Sequence, residues 1–596
     1  MLSESTAAAT ATQNTVPRKG TLCNLLCACL FSIAVFFLLY SRDYSISTQY
    51  AVLIALLLAI FPSLAAAKAG DDRPYFRLGL AGICLAVLLA CLPLLHGTWA
   101  VADDYIIPMM LDEAGRMDFG DLVSHLGVSQ SFGVVFDNTS GRFQPVFVFM
   151  YAVNTFVFGD HIQLWYMLYG GLFLASVVLT LLALRRSFDG VTAVLAGCVI
   201  FAHLHWYWLF RDTGVVEVYG LLGLSLSAWV IARNRTREVV SVGACLLATL
   251  GGFLMIGTKE TFAPAALLPL GFFFCRAFSR DARERRKAFA FGVVNLALCL
   301  YVLVGIVAAL AAFGADASGG QAGYAALLRD LAAYLGDFGR RIAWPWYAGT
   351  LAILACANLL PFRGRAPAAA AVRGAWISFG LIAFMLLFAL SQYVFYQGDI
   401  DNQHYSIPLT AIPALLWLTA GRLFLQAASR LGMPRANLAA RMLLAFLCCA
   451  NVLATPSFAK DLIRILCEKN ATYVASLKRV AEAVSKEPDR PLVLVVGDTH
   501  NEELAVSPAV YLKELFDIPN AVYVRPTTPA ASLTRLHDNG YGHCITPGDA
   551  PGDIPAFTVG ILTTPEEGAG NLGRLLPVPV GEPQFKLLPL LSRDIW

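Results

Sequence analysis

Asp103 and Asp104 stand side by side just past the end of a long apolar segment, in Ala102-Asp103-Asp104-Tyr105. A carboxylate placed where a membrane helix emerges into water is partly desolvated, which raises its proton affinity toward that of a useful general base. The chemistry such a pair offers is proton removal from an attacking hydroxyl. The stretch that carries it, residues 100–144, is acidic: Asp112, Glu113, Asp118, Asp121 and Asp137 outnumber Arg116 and Arg142. A solvated loop accounts for Asp118 and Asp121. It accounts less well for two carboxylates set directly against a helix end.

The elements that must position this pair are membrane helices. Hydrophobic residues make up 57% of the 596, charged residues only 14%, and the mean hydropathy is +0.63. Soluble chains carry about 25% charged residues. Apolar runs recur near 22–40, 50–67, 78–99, 163–184, 191–209, 217–232, 239–256, 261–277, 289–312, 345–361, 374–396, 404–425 and 438–457. Those of 18 or more residues have the length needed to cross a hydrocarbon core of about 30 Å. The fold expected is an all-α polytopic membrane protein of about thirteen spans. A shorter run, 145–159, opens at Pro145 and closes at Phe158-Gly159-Asp160; it reads as a helix along or dipping into the interface.

Orientation follows from the basic residues. With residues 1–20 a disordered cytoplasmic tail, Arg185-Arg186, Arg233/Arg235/Arg237, Arg363/Arg365/Arg373 and the dense run Arg276 to Lys287 all fall on the inner side. Residues 100–144, 313–344 and everything after about 458 then lie outside. The acidic pair and the C-terminal part share a compartment. High Ala, Gly and Arg content points to a bacterial inner membrane with a periplasmic C-terminal domain. Nothing resembles a nucleic-acid-binding face.

Residues 458–596 read as a small extracytoplasmic α/β domain. Leu492-Val493-Leu494-Val495-Val496 and Ala521-Val522-Tyr523-Val524 are expected strands, 471–486 and 507–517 expected helices, and a Pro- and Gly-rich remainder begins near 546. Asp498 and His500 at a strand end are a second, weaker site candidate. Cys467 and Cys544 are far apart in sequence and a weak disulfide candidate. Trp206-Tyr207-Trp208 reads as an interfacial aromatic belt, and His203 with His205 lacks obvious further metal ligands.

Asp103-Asp104-Tyr105, Gln144-Pro145, Phe158-Gly159 and Arg185-Arg186 together resemble the GT-C superfamily of membrane glycosyltransferases, which includes protein O-mannosyltransferases and lipid A aminoarabinose transferases. Thr258-Lys259-Glu260 and His404-Tyr405 before Pro408 and Pro413 add to the likeness. It covers most of residues 78–430, within a catalytic transmembrane domain of 78–457, and leaves 21–77 as an added N-terminal hairpin. The pair here is Asp-Asp rather than the commoner Asp-Glu, and two helices precede it.

The resemblance implies an inverting transfer of a sugar from a polyprenyl-phosphate donor to a hydroxyl of a lipid or glycan acceptor, with one carboxylate of the pair, Asp103 ahead of Asp104, as base. It also implies cations for the leaving phosphate. Arg142, Arg211, Lys259, Arg340 and Arg341 are candidates, with Tyr105, Asp212, Glu260, His404 and Tyr405 as further substrate contacts. Arg211 can instead pair with Asp212 or Glu217, and Lys259 with Glu260. No cofactor is implied, while a divalent ion at Asp103/Asp104 stays open. An O-antigen ligase or polymerase, with 313–344 as its key loop, is one alternative. A transporter or flippase, which would place charges in mid-span, is another.

Overall fold

The computed structural model describes residues 73–100, 104–112, 115–126, 143–201, 204–313, 459–496, 503–526, 543–544, 557–561 and 585–587, with isolated positions 331, 380, 383, 386, 387 and 390. The expected N-terminal tail, most of the hairpin up to 77, nearly all of the 313–344 loop and the spans expected from 345 to 457 lie outside the described residues. So do His203, Asp498 and His500.

Helix accounts for 78% of the described residues, against about a third in soluble globular chains. Three helical stretches there are long and apolar enough to cross a membrane: Phe76–His96, Ile162–Arg186 and Ala282–Ala308. The first joins α1 (Arg73–Cys91) to a 3-10 turn (Leu92–His96) that has Pro93 in its first turn. Then follow the short α2 (Ile106–Met109) and α3 (Phe119–His125). Helix α3 is started by Asp118, whose side chain accepts from Asp121 N at 2.7 Å.

Pro145 opens α4 (Pro145–Phe158) with its preset φ. Gly159 ends it at φ 55° and ψ −133°. A side chain there would meet Gly115 O at 2.6 Å, so the Phe-Gly pair has a steric reason. It lets the 115 turn close over the helix end.

Helix α5 (Ile162–Ser187) is the long span, and α6 (Gly190–Phe201) is capped by Asp189, which accepts from Thr192 N and Oγ1. The run expected as one span over 191–209 is broken, continuing as a 3-10 turn (Leu204–Phe210). Trp206 and Trp208, expected in an interfacial belt, are buried instead. Trp206 donates to Ile200 O and packs near Phe173 and Phe201. Burial of an indole this size contributes more than an interfacial position would.

Helices α7 (Glu217–Asn234) and α8 (Val242–Thr258) follow, then a 3-10 turn (Glu260–Ala266), α9 (Leu267–Ala277) and α10 (Ala282–Phe313). The run expected over 261–277 is thus also divided. Lys259 is extended and Pro264 lies within the 3-10 turn, and together they interrupt helical geometry.

Apolar helices in lipid gain little by hiding from water, so close backbone approach holds them together. Helices α7 and α8 show it. A side chain on Gly251 would meet Ser227 Oγ at 2.4 Å and Gly223 O at 2.8 Å. At one end of these helices the basic loops interlock. Arg235 donates to Arg186 O at 2.6 Å, Arg276 to the carbonyls of Asn234 and Arg237, and Lys287 to Val240 O. Glu284, buried, pairs with Lys287 at 2.8 Å.

The C-terminal part begins with α11 (Ala459–Val484), earlier than the expected 471. Its buried Ile463, Leu466, Tyr473, Leu477, Val480 and Val484 fall at helical spacing. This face packs against α1, the 3-10 turns Leu92–His96 and Leu204–Phe210, and the turn Tyr511–Leu515. The strands β1 (Leu492–Val496), β2 (Val522–Pro526), β3 (His543–Cys544), β4 (Phe557–Ile561) and β5 (Phe585–Leu587) form one sheet in the order β3-β2-β1-β4-β5. Every pairing is parallel.

β1 lies at the centre of that order, which suits its unbroken apolar run. The remainder after 546 thus supplies two strands. Between β1 and β2 lie α12 (Glu503–Val510) and a π turn (Tyr511–Leu515). Cys467 is a free, buried thiol, so the pairing with Cys544 is absent; burial pushes its pKa up to about 11.

Gly251→Ala should push α7 and α8 apart and lower the melting temperature of the detergent-solubilised protein by several degrees, about 1–3 kcal/mol of overpacking. Gly243→Ala, on the same helix with open space beside it, should leave the melting temperature unchanged or slightly raised. Equal melting of both variants would refute the close contact.

Candidate functional site

Asp104 is completely buried, and its carboxylate is saturated with donors. Oδ1 accepts from Thr213 N at 2.6 Å and Thr213 Oγ1 at 2.6 Å. Oδ2 accepts from Ala100 N at 2.8 Å and Tyr166 Oη at 3.3 Å. Four donors thus converge on its two oxygens. The donors come from the segment leaving α1, from α5 and from the turn before α7.

Thr213 is the counterpart of this carboxylate. Its hydroxyl proton is committed to Asp104, so Tyr151 Oη, 3.3 Å from Thr213 Oγ1, must donate in turn. Its carbonyl accepts from Tyr169 Oη at 2.5 Å. Tyr169 lies edge-on to Tyr219, whose hydroxyl accepts from Asn154 at 2.7 Å. A tyrosine-rich layer thus ties α4, α5 and α7 to one threonine.

Two further carboxylates follow at the same end. Asp212 is buried and accepts from Arg211 Nε at 2.6 Å, while its Oδ1 has no hydrogen-bond partner. Glu217 is buried against Lys259 Nζ, with its Oε2 likewise unpartnered. Buried acceptors without donors are uncommon in folded proteins. These two lie within six residues of one another, next to the Thr213 clamp.

Electrostatics follows from this crowding. Burial pushes the Asp104 carboxyl up from 3.8 to about 7. The neighbouring Asp212 charge adds to the rise, and the Thr213 and Ala100 donors pull it partly back. At the opposite ends of α5 and α7, Arg186 and Arg235 join Arg276 of α9 and Lys287 of α10 in the basic cluster. In the described helices α1 to α10 charged residues sit toward the ends, not in mid-span.

The sequence-derived candidates fall out unequally. Asp104, Arg211, Asp212 and Lys259 gather at one end of the helices. Tyr105 is half-buried beside them, packed on the core. Lys259 pairs with Glu217, its side chain 6% exposed; contact with a phosphate would require opening that pair. Arg211 is the more accessible cation, its side chain 25% exposed. Glu260 opens the 3-10 turn after Lys259. Asp103, Arg142, Arg340, Arg341, His404 and Tyr405 lie outside the described residues.

Sequence reasoning missed Thr213, Tyr166, Tyr169 and Tyr151. Thr213 lies 109 residues from Asp104, and no local spacing marks it. Among the described residues no three of His, Cys, Asp and Glu converge to hold a metal ion. Compared with protein-family models the chain matches none, and no curated protein resembles it significantly.

Two outcomes follow. Between pH 3.8 and about 7 the folded chain keeps a proton on Asp104 that the unfolded chain has released. Stability contributed by this group therefore falls as pH rises through that window, by up to about 1.4 kcal/mol per pH unit. Asp104→Asn should flatten that slope in melting curves recorded across the window; an unchanged slope would show that Asp104 does not titrate there.

Lys259→Met leaves Glu217 buried and alone, at a cost of about 3–5 kcal/mol. The double variant Lys259→Met/Glu217→Leu should recover much of that loss by chemical denaturation. Additive losses would mean the two side chains do not interact.

Proposed function

We propose that the protein is an inverting glycosyltransferase that moves a sugar from a polyprenyl-phosphate donor to a hydroxyl of a lipid or glycan acceptor at the outer membrane face. The observation that carries this reading is the gathering of Asp104, Arg211, Asp212, Glu217 and Lys259 at one end of the helices. The basic loops occupy the other end, as an outward-facing site and inward-facing arginines require.

Asp103 is the base. Its neighbour Asp104, sealed and fully bonded, works by anchoring the acidic segment rather than by touching substrate. As the acceptor hydroxyl gives its proton to Asp103, its oxygen attacks the anomeric carbon from the face opposite the phosphate. The carbon–oxygen bond to phosphate breaks, and polyprenyl phosphate leaves with the electron pair. One displacement inverts the centre. The negative charge that develops on the phosphate is met by cations at the membrane surface. Arg211 is the described one best exposed for this, and Arg142, Arg340 and Arg341 complete the set.

Charges toward helix ends, with none in mid-span in the described helices α1 to α10, favour this reading over a transporter. By this reading the enzyme is a multi-pass protein of a bacterial inner membrane of about thirteen spans, with its C-terminal α/β domain in the periplasm.

In liposomes supplied with undecaprenyl-phosphate-linked mannose, arabinose or glucose and a cell-envelope lipid extract, the wild-type protein should release undecaprenyl phosphate. Asp103→Asn should lower kcat by about 10²–10⁴-fold with little change in KM. Wild-type rates in Asp103→Asn would end this mechanism.

A further inference from the structure

The C-terminal domain reaches the acidic segment through one side chain. Tyr511, the first residue of the π turn after α12, is completely buried and donates its hydroxyl to Ala100 O at 2.5 Å. Its ring lies 6.0 Å from that of Trp99 and 6.2 Å from that of Tyr473. Tyr473 in turn meets Ser507 at 3.2 Å. The π turn also packs against α2, which begins two residues after Asp104.

Ala100 is therefore held on both sides of its Cα. Its N–H donates to Asp104 Oδ2 at 2.8 Å, and its carbonyl accepts from Tyr511. The three residues that follow, including Asp103, connect Ala100 to Asp104. Both flanks of the proposed base are thus fixed, one by Thr213 in the membrane part and the other by Tyr511 in the α/β domain. Burial, and then the nearby Asp104 charge, hold the Tyr511 phenol well above its ordinary pKa, so it stays a donor. π turns inside helical segments are often found where function needs a side chain re-aimed.

We propose that Tyr511 is a positioning residue: the C-terminal α/β domain holds Ala100, and through its N–H the Asp104 carboxylate, in place by the Tyr511–Ala100 hydrogen bond and the Trp99–Tyr511 ring contact. The kinetic consequence rests on the glycosyl-transfer reading; the structural consequence does not. By this account the domain is part of the transfer site, and the membrane part alone holds only one flank of the base.

The test uses the full chain in detergent with Tyr511→Phe, which keeps the ring against Trp99 and Tyr473 and removes the hydroxyl. Hydrogen exchange at the amides of Ala100 and Thr213 should quicken about tenfold, as expected for loss of one buried hydrogen bond. The amides of Leu492–Val496 should keep their rates. With undecaprenyl-phosphate-linked sugars, kcat should fall about tenfold while KM stays within about twofold.

Unchanged exchange at Ala100 overturns the proposal whatever the kinetics show. Faster exchange throughout α11 and the sheet overturns it too, because Tyr511 would then serve the domain's own core. Faster exchange confined to 97–104 and Thr213, in a protein whose wild type transfers none of these sugars, upholds the anchoring and removes the transfer reading.

Discussion

The carboxylate of Asp104 is the interaction on which the described structure turns. Four donors from three separate stretches of chain converge on it: Ala100, Tyr166 and, twice, Thr213. An ionised group without water is tolerated only when its hydrogen bonds are complete. Removing any one donor leaves a buried lone pair exposed to nothing, so the three stretches are bound to the same geometry. The segment leaving α1, the start of α5 and the turn before α7 are fixed together because none can move without uncovering that charge.

From this point the polar order spreads outward. Thr213 gathers Tyr151 and Tyr169; Asp212 and Arg211 lie immediately before it; Glu217 reaches Lys259 across the helix pair α7 and α8. Arg211, Asp212, Glu217 and Lys259 all lie at the ends of apolar helices. Close glycine contacts between α7 and α8 hold the helices beneath them. On the other side Tyr511 ties in the parallel sheet domain. One carboxylate thus links helices, turn and sheet.

Much of this was legible in the sequence, and the illegible parts share a cause. Apolar run length reveals α1, α5 and α10, because the hydrocarbon core sets a minimum length. Pro145 and Gly159 mark both ends of α4, since each imposes a backbone requirement. Val-rich runs reveal β1 and β2. The division of the runs near 204 and 260 into 3-10 turns was hidden, because hydropathy does not register how a backbone bends. Asp104 stood out by its position, but Thr213 did not. A threonine gains its meaning only from a carboxylate 109 residues away, and no local pattern encodes that pairing. Strand β4 lay concealed in a Pro- and Gly-rich stretch whose composition resembles loop.

The central claim is a single in-line displacement at the anomeric carbon, with the base held beside the Asp104 anchor. It is tested most directly by the stereochemistry of the product. Purified protein in liposomes, given an undecaprenyl-phosphate sugar of defined anomeric configuration, should yield a glycoside whose anomeric proton coupling shows the opposite configuration. A product of retained configuration would contradict the account, because retention requires a covalent intermediate or a second displacement that a single base at Asp103 does not provide.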